Sequence, residues 1–199
     1  MTINRRSVLR GVMATAVVVS GTRALAWPPL QEKSLLLRRG LAALDAQNPK
    51  LVARDVMGIV DFSAHSREMR FSIVNVANGR IDASYLVAHG RGSDPANSGW
   101  ARQFSNQTGS NASSQGSFLT GAAYVGKHGR SRRLHGLDPV NSRAFDRAIV
   151  VHGASYVGQD LVRTQGRIGR SLGCFAVEQS TIGDVLERLG QGRLLFASA

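Results

Sequence analysis

Apolar residues recur along this chain in two different periods. Leu30, Leu35, Leu36, Leu37, Leu41, Ala42 and Leu44 return near helical spacing, and Asn48-Pro49 cannot continue the pattern. An amphipathic helix is therefore predicted over about 31–47. From Asp55 the period shortens to runs that are rich in β-branched and aromatic residues: Val56 to Phe62, Phe71 to Val76, and Ile81 to Val87. Turn residues separate these runs, so each is predicted as a strand, and Asn78-Gly79 between two of them predicts a tight hairpin. Phe118-Leu119-Thr120 reads as a further short strand, and Asn141 to Arg147 as a helical turn capped by Asn141. Ala148 to Val151 reads as a buried strand running into His152-Gly153, Glu178 to Leu189 as a helix, and Leu194 to Phe196 as a closing strand. The resulting class is mainly β with flanking helices.

Between these elements, Gly90 to Ser117 is rich in Gly, Ser and Asn and poor in aliphatics. A segment of that length inside one domain carries function or is disordered. His89, Trp100 and Phe104 lie within it or at its edge, which favours ordered, functional loops. The total of 199 residues suits a single domain with a real core.

Charge and cysteine content then narrow the setting. The formal net charge is +12, from 25 Lys and Arg against 13 Asp and Glu. Part of this sits at the start, where Asn4-Arg5-Arg6-Ser7-Val8-Leu9-Arg10 precedes a weakly apolar run and then Ala24-Leu25-Ala26. That order reads as a twin-arginine export signal over residues 1–26, with Ala26 as the cleavage point. The apolar run of about ten residues is too short for a hydrocarbon core, which needs roughly 20, so no transmembrane segment is expected after cleavage. Cleavage removes Arg5, Arg6, Arg10 and Arg23, leaving 21 cations against 13 acids, or +8. Nucleic acid then becomes an improbable partner, and a periplasmic location is expected. A helix-bearing segment 27–50 and a body 51–199 are the expected divisions of the exported chain. The oligomeric state is left open.

The single cysteine, Cys174, excludes an internal disulfide and a Cys-based structural zinc site. An exported chain with one unpaired thiol needs a reason for it. A cysteine nucleophile requires a base, since a free thiol with pKa about 8.5 is mostly protonated at neutral pH, and donors for the oxyanion it creates. His152 at the end of an apolar strand supplies a base, and Gly173 allows close backbone approach. The alternative, that Cys174 is a small buried apolar residue, stays open on spacing alone.

Val150-Val151-His152-Gly153-Ala154 followed by Gly169-Arg170-Ser171-Leu172-Gly173-Cys174 resembles the signature of the YkuD-type L,D-transpeptidase family. More closely it resembles the murein L,D-transpeptidase catalytic domain branch. The resemblance extends through Val87 to Ser93, Phe104-Ser105-Asn106, Ser113 to Gly116, Tyr124, Gly126 to Gly129 and Leu134 to Leu137, and covers roughly Asp55 to Phe196. It implies a YkuD-type, β-sandwich-like catalytic domain. It also implies Cys174 as nucleophile, His152 as base, Gly173 and Cys174 as oxyanion donors, and Ser171 as the residue shaping the turn. Leu172 and Ala176 depart from the pattern, standing where relatives carry histidine and arginine. Arg170 is the substitute candidate for a substrate-carboxylate contact. His89, Ser105, Asn106, Ser114, Tyr124, His128 and Gly153 are the remaining candidates for contact with substrate.

The implied chemistry is acyl transfer on peptidoglycan stem peptides through a thioester, with no metal and no organic cofactor. Two other readings remain at this point: an L,D-carboxypeptidase or amidase using the same Cys-His site, and a non-catalytic wall-binding module with a buried cysteine. The basic run Lys127 to Arg133 is read as a face towards anionic wall polymer or as a solvated surface.

Overall fold

The strand-forming runs assemble into one sheet because each carries one face of large apolar side chains that nothing within the run covers. In the computed structural model, which describes residues 30–199, the predicted N-terminal helix is α1 (Leu30–Asp45). It is followed by β1 (Val56–Asp61), β2 (Phe71–Asn75), β3 (Ile81–Tyr85) and β4 (Val87–Ala88). Then come β5 (Gly116–Gly126), β6 (Gly129–Gly136), β7 (Val150–Ala154), α2 (Gln159–Gln165), β8 (Phe175–Glu178), α3 (Ile182–Arg188) and β9 (Leu194–Ser198). The expected export signal lies outside the described residues.

The nine strands lie in the order β3-β2-β1-β9-β5-β6-β7-β8-β4. Most neighbours are antiparallel; β1–β9 and β7–β8 are parallel. Consecutive strands β3 and β4 thus occupy opposite edges of the order although only Leu86 separates them. The sheet must therefore curl, and the main core confirms it: Phe71 and Tyr85 from one edge share a cluster with Val87 and Val177 from the other. Phe175 sits at its centre, 5.7 Å from the Phe62 ring and 5.4 Å from Phe118. α3 closes this interior with Ile182, Val185 and Leu186.

Strand alternation feeds a second layer. Met57 and Ile59 of β1 and Leu194 and Phe196 of β9 face outward, and the Leu36, Leu37, Leu41 and Leu44 stripe of α1 covers them. On the β7–β8 side, Ala154, Ala176 and Ala88 form a third cluster with Val157, Ile168 and Val162 of the α2 region.

Three local expectations change. The strand expected at 118–120 runs to Gly126 and pairs with β6, because ladder pairing overrides the weak strand preference of Gly121-Ala122-Ala123 and the charged run that follows. The helix expected from Glu178 begins at Ile182, since Glu178 pairs with Ala154 as the end of β8. Residues 139–147 form successive turns, and Asn141 does not cap them: its Oδ1 accepts from the Asp138 N–H at 2.9 Å. Its amide donates to the Gln115 and Ser117 carbonyls, both at 2.9 Å, which ties the turn to β5. The Asn78-Gly79 hairpin forms as expected, with Gly79 at φ +69°.

Candidate active site

His152 lies on β7 and Cys174 one residue before β8. The parallel register pairs Val151 with Phe175 and His152 with Ala176, so its continuation sets Cys174 beside Val150. His152 and Cys174 then share one face of the sheet, with Cα atoms about 8 Å apart from strand spacing and rise. Both side chains therefore project from the same face of the sheet.

The histidine is buried, with 2% of its surface exposed, and its Nδ1 lies 2.9 Å from the Gly153 carbonyl oxygen. A carbonyl only accepts, so Nδ1 carries the proton and Nε2 keeps a free lone pair. Burial holds the imidazole below its ordinary 6.5; the bond to Gly153 opposes this, while His128 and Lys127 reinforce it. His152 is therefore a neutral base.

Cys174 is half-buried, and its thiol donates to the Ala148 carbonyl oxygen at 3.6 Å. Burial pushes the thiol up, opposed by a hydrogen bond from the Val150 backbone and by the charges of Arg147 and Lys127. The resting pair is thus neutral thiol and neutral imidazole.

The loop that carries Cys174 is held by its own residues and by the segment after β4. Ser171 Oγ donates to the Cys174 carbonyl at 2.7 Å and accepts the Gly173 N–H at 3.1 Å. Gly173 adopts φ +114°, and a Cβ there would sit 2.8 Å from the Ala112 carbonyl oxygen, so a side chain has no place. Ser171 N–H donates to the His89 carbonyl at 2.9 Å, and Arg91 N–H to the Ser171 carbonyl at 2.8 Å.

That bracing segment rests on a buried polar chain. Arg70 is 3% exposed and donates to the Val87 carbonyl (2.9 and 3.1 Å), the Ala64 carbonyl (2.8 Å) and His89 Nδ1 (2.8 Å). An arginine only donates, so His89 is neutral, protonated at Nε2, which points at Asp94 Oδ2 at 3.4 Å. Burial, then the Arg70 charge, pull His89 down to about 4. Asp94 completes the chain by accepting from Ser98 and Gly99 N–H groups, both at 2.8 Å.

Of the residues singled out from sequence, the fold brings Cys174, Gly173, Ser171, His152, Gly153 and His128 together. His128, at the β5–β6 hairpin tip, stacks on His152 with ring centroids 4.3 Å apart. Tyr124, further along that hairpin, lies under Arg133 at 4.4 Å. His89 stands behind the loop that carries Cys174, fully enclosed. Ser114 Oγ donates to the Ser105 carbonyl at 2.8 Å, and Asn106 bridges to Pro139 and Ser142, both at 3.0 Å, while its Oδ1 takes the Arg143 N–H at 3.0 Å. These three residues shape the 105–114 wall. Arg170 donates to the Asp94 carbonyl, and to that of Pro95 at 3.5 Å. Ala176 is fully buried against the α2 side, in a position with no room for an arginine. The basic run disperses: Arg132 reaches inward to the Gly121 and Leu186 carbonyls, each at 2.9 Å, whereas Lys127 and Arg130 stay exposed.

A family model described as L,D-transpeptidase catalytic domain matches residues 31–198. The chain belongs to that family. No curated protein matches the sequence. Similar solved structures include an L,D-transpeptidase from Mycobacterium smegmatis, with 14% identity, TM-score 0.46, and coverage of 73% of this chain and 59% of that one. L,D-transpeptidase 3 from Mycobacterium tuberculosis gives 12%, 0.47, 73% and 61%. An L,D-transpeptidase from Xylanimonas cellulosilytica gives 16%, 0.43, 79% and 68%. The alignments thus take in about three fifths of the first two chains.

Sequence reasoning missed Arg70 and Arg147. Arg70 gives no local signal. Arg147 carries a faint one: it is a cation set directly before the apolar run that ends in His152.

Proposed function

We propose that this chain is an exported, periplasmic cysteine L,D-transpeptidase acting on peptidoglycan stem peptides. The observation that carries the reading is the neutral His152, its Nδ1 proton fixed on Gly153 and its Nε2 free, on the strand adjoining the one that Cys174 leads. Family membership supports the reaction class, and the arginine pair at the N-terminus supports export.

In this scheme Cys174 Sγ passes its proton to His152 Nε2 and attacks the carbonyl at the L-centre of a diamino acid in the donor stem. Backbone N–H groups at Gly173–Cys174 stabilise the oxyanion, with Ser171 Oγ yielding the Gly173 N–H as charge develops. Collapse breaks the bond to the following D-residue, whose amine takes the proton from the imidazolium, and leaves a thioester. An acceptor amine then attacks the thioester and gives its proton to His152, and the thiol is regenerated as the cross-link forms. The His128 ring and the Ser105, Asn106 and Ser114 wall border the path of the stem; Arg170, Tyr124 and His89 support the surrounding loops.

Muropeptides incubated with the purified protein and analysed by mass spectrometry should yield dimers whose mass equals two stems less one free D-amino acid. Cys174→Ala should yield none. Loss of the D-residue without dimers, with acceptor amine in excess, would establish hydrolysis instead; equal products from Cys174→Ala would remove the cysteine mechanism altogether.

A further inference from the structure

Arg147 occupies the turn that leads into β7 and is half-buried. It donates to four groups of a single loop: the Ser105 carbonyl (2.6 Å), Ser114 Oγ (2.7 Å), the Ala112 carbonyl (2.5 Å) and Ser110 Oγ (3.4 Å). On its other side, Nη2 lies 3.2 Å from where a Cβ on Gly173 would stand. The next residue, Ala148, holds φ +53° without being glycine, and its carbonyl is the one that accepts the Cys174 thiol. One arginine therefore holds the 105–114 loop, lies close beside Gly173 next to Cys174 and, through its neighbour, adjoins the sulfur's resting partner.

We propose that Arg147 is the positioning residue of this site, clamping the 105–114 wall against the Cys174 loop while its permanent charge favours the ionised sulfur. This rests on Cys174 being the nucleophile. A guanidinium suits both tasks: it satisfies several carbonyls in one plane and keeps its charge when half-buried, whereas a lysine ammonium keeps only the charge. Other groups face Cys174 as well. Lys127 approaches from the β5–β6 tip, His152 stands on β7, and Tyr156, whose phenol is pushed up to about 12 by burial and by Cys174, follows β7. Lys127 is exposed and screened by solvent, so the half-buried Arg147 carries the larger share of the favourable field.

The test uses the fact that Cys174 is the only cysteine, so alkylation of the full chain by iodoacetamide reports one site. Rates measured against pH give the midpoint of thiol ionisation. Arg147→Gln should raise the midpoint by about one pH unit, a tenfold loss of thiolate below it. Arg147→Lys should leave it near wild type but raise KM for the donor stem, since the ammonium cannot hold the wall. A midpoint unmoved in Arg147→Gln overturns the proposal. If Arg147→Gln does not fold, judged by circular dichroism, Arg147→Lys decides: a retained midpoint supports the proposal, and a rise of about a unit overturns it. Failure of cross-linking with these midpoint shifts intact would count against the transpeptidase reading and leave Arg147's role standing.

Discussion

The enclosed Arg70–His89–Asp94 chain makes the fold sensitive to mild acid through one imidazole. Above pH 6.5, His89 is neutral in both folded and unfolded chains. Between 6.5 and about 4 the unfolded chain takes up a proton that the folded chain refuses, because the ring is buried and Arg70 already donates to its Nδ1. Stability therefore falls as pH falls through that window. A drop from 6.5 to about 4, at about 1.4 kcal/mol per pH unit, amounts to about 3 kcal/mol, a large fraction of the 5–15 kcal/mol typical of a domain. His152 and His65 are also held low by burial and add to the total loss, so the comparison must be with a variant that keeps both. His89→Gln does so. Urea unfolding of wild type and His89→Gln, followed from pH 7 to 4, should show wild type losing about 3 kcal/mol more than the variant over this range. Whatever stability the variant lacks at pH 7 should correspondingly shrink. Parallel curves for the two proteins would refute the buried neutral imidazole and, with it, the account of how the segment after β4 is held.

Two further outcomes follow from the site. Gly173→Ala places a methyl 2.8 Å from the Ala112 carbonyl oxygen at φ +114°; cross-linking should fall at least tenfold, with unfolding midpoints lowered by about 2 kcal/mol in equivalent stability. The kcat/KM profile should show an acid limb below pH 6.5, where His152 gains its proton, and no loss towards neutral pH. Since His128 helps hold His152 low, His128→Ala should move that limb to higher pH, read from initial rates across buffers.

The parts of this molecule legible in sequence are those written in side-chain period or in residues of unusual chemistry. The stripe of α1, the β1–β2–β3 runs and the Asn78-Gly79 turn declare themselves locally, and the mainly β class follows from them. Cys174 and His152 stand out because a lone thiol and a histidine at a strand end are uncommon types in uncommon places. The β5–β6 hairpin does not announce itself, since Gly121 to Ala123 have little strand preference and Arg130 to Arg133 look like a solvated run; cross-strand pairing makes them strands, and pairing is a long-range fact. Arg147 and Arg70 were hidden for a similar reason. An arginine that serves buried carbonyls has the same letter as one in water, and its partners lie 33 to 42 positions away for Arg147.

The curled order of the sheet bears on when the thiol becomes usable. β4 is two residues long and pairs Val87 with Val177, 90 positions later, at the very edge of the sheet. The residues directly after it, His89 to Arg91, grip Ser171 in the loop that carries Cys174. Pairings of such separation close late, because loop-closure entropy must be overcome first. The β1–β9 pairing that joins the two halves of the sheet spans still more, Gly58 with Leu195, so both closures come late and Cys174 sits on an unbraced segment until the edge closes. Completion of the fold and bracing of the Cys174 loop become a single event, so a half-formed chain carries its thiol on a segment that nothing yet holds in place.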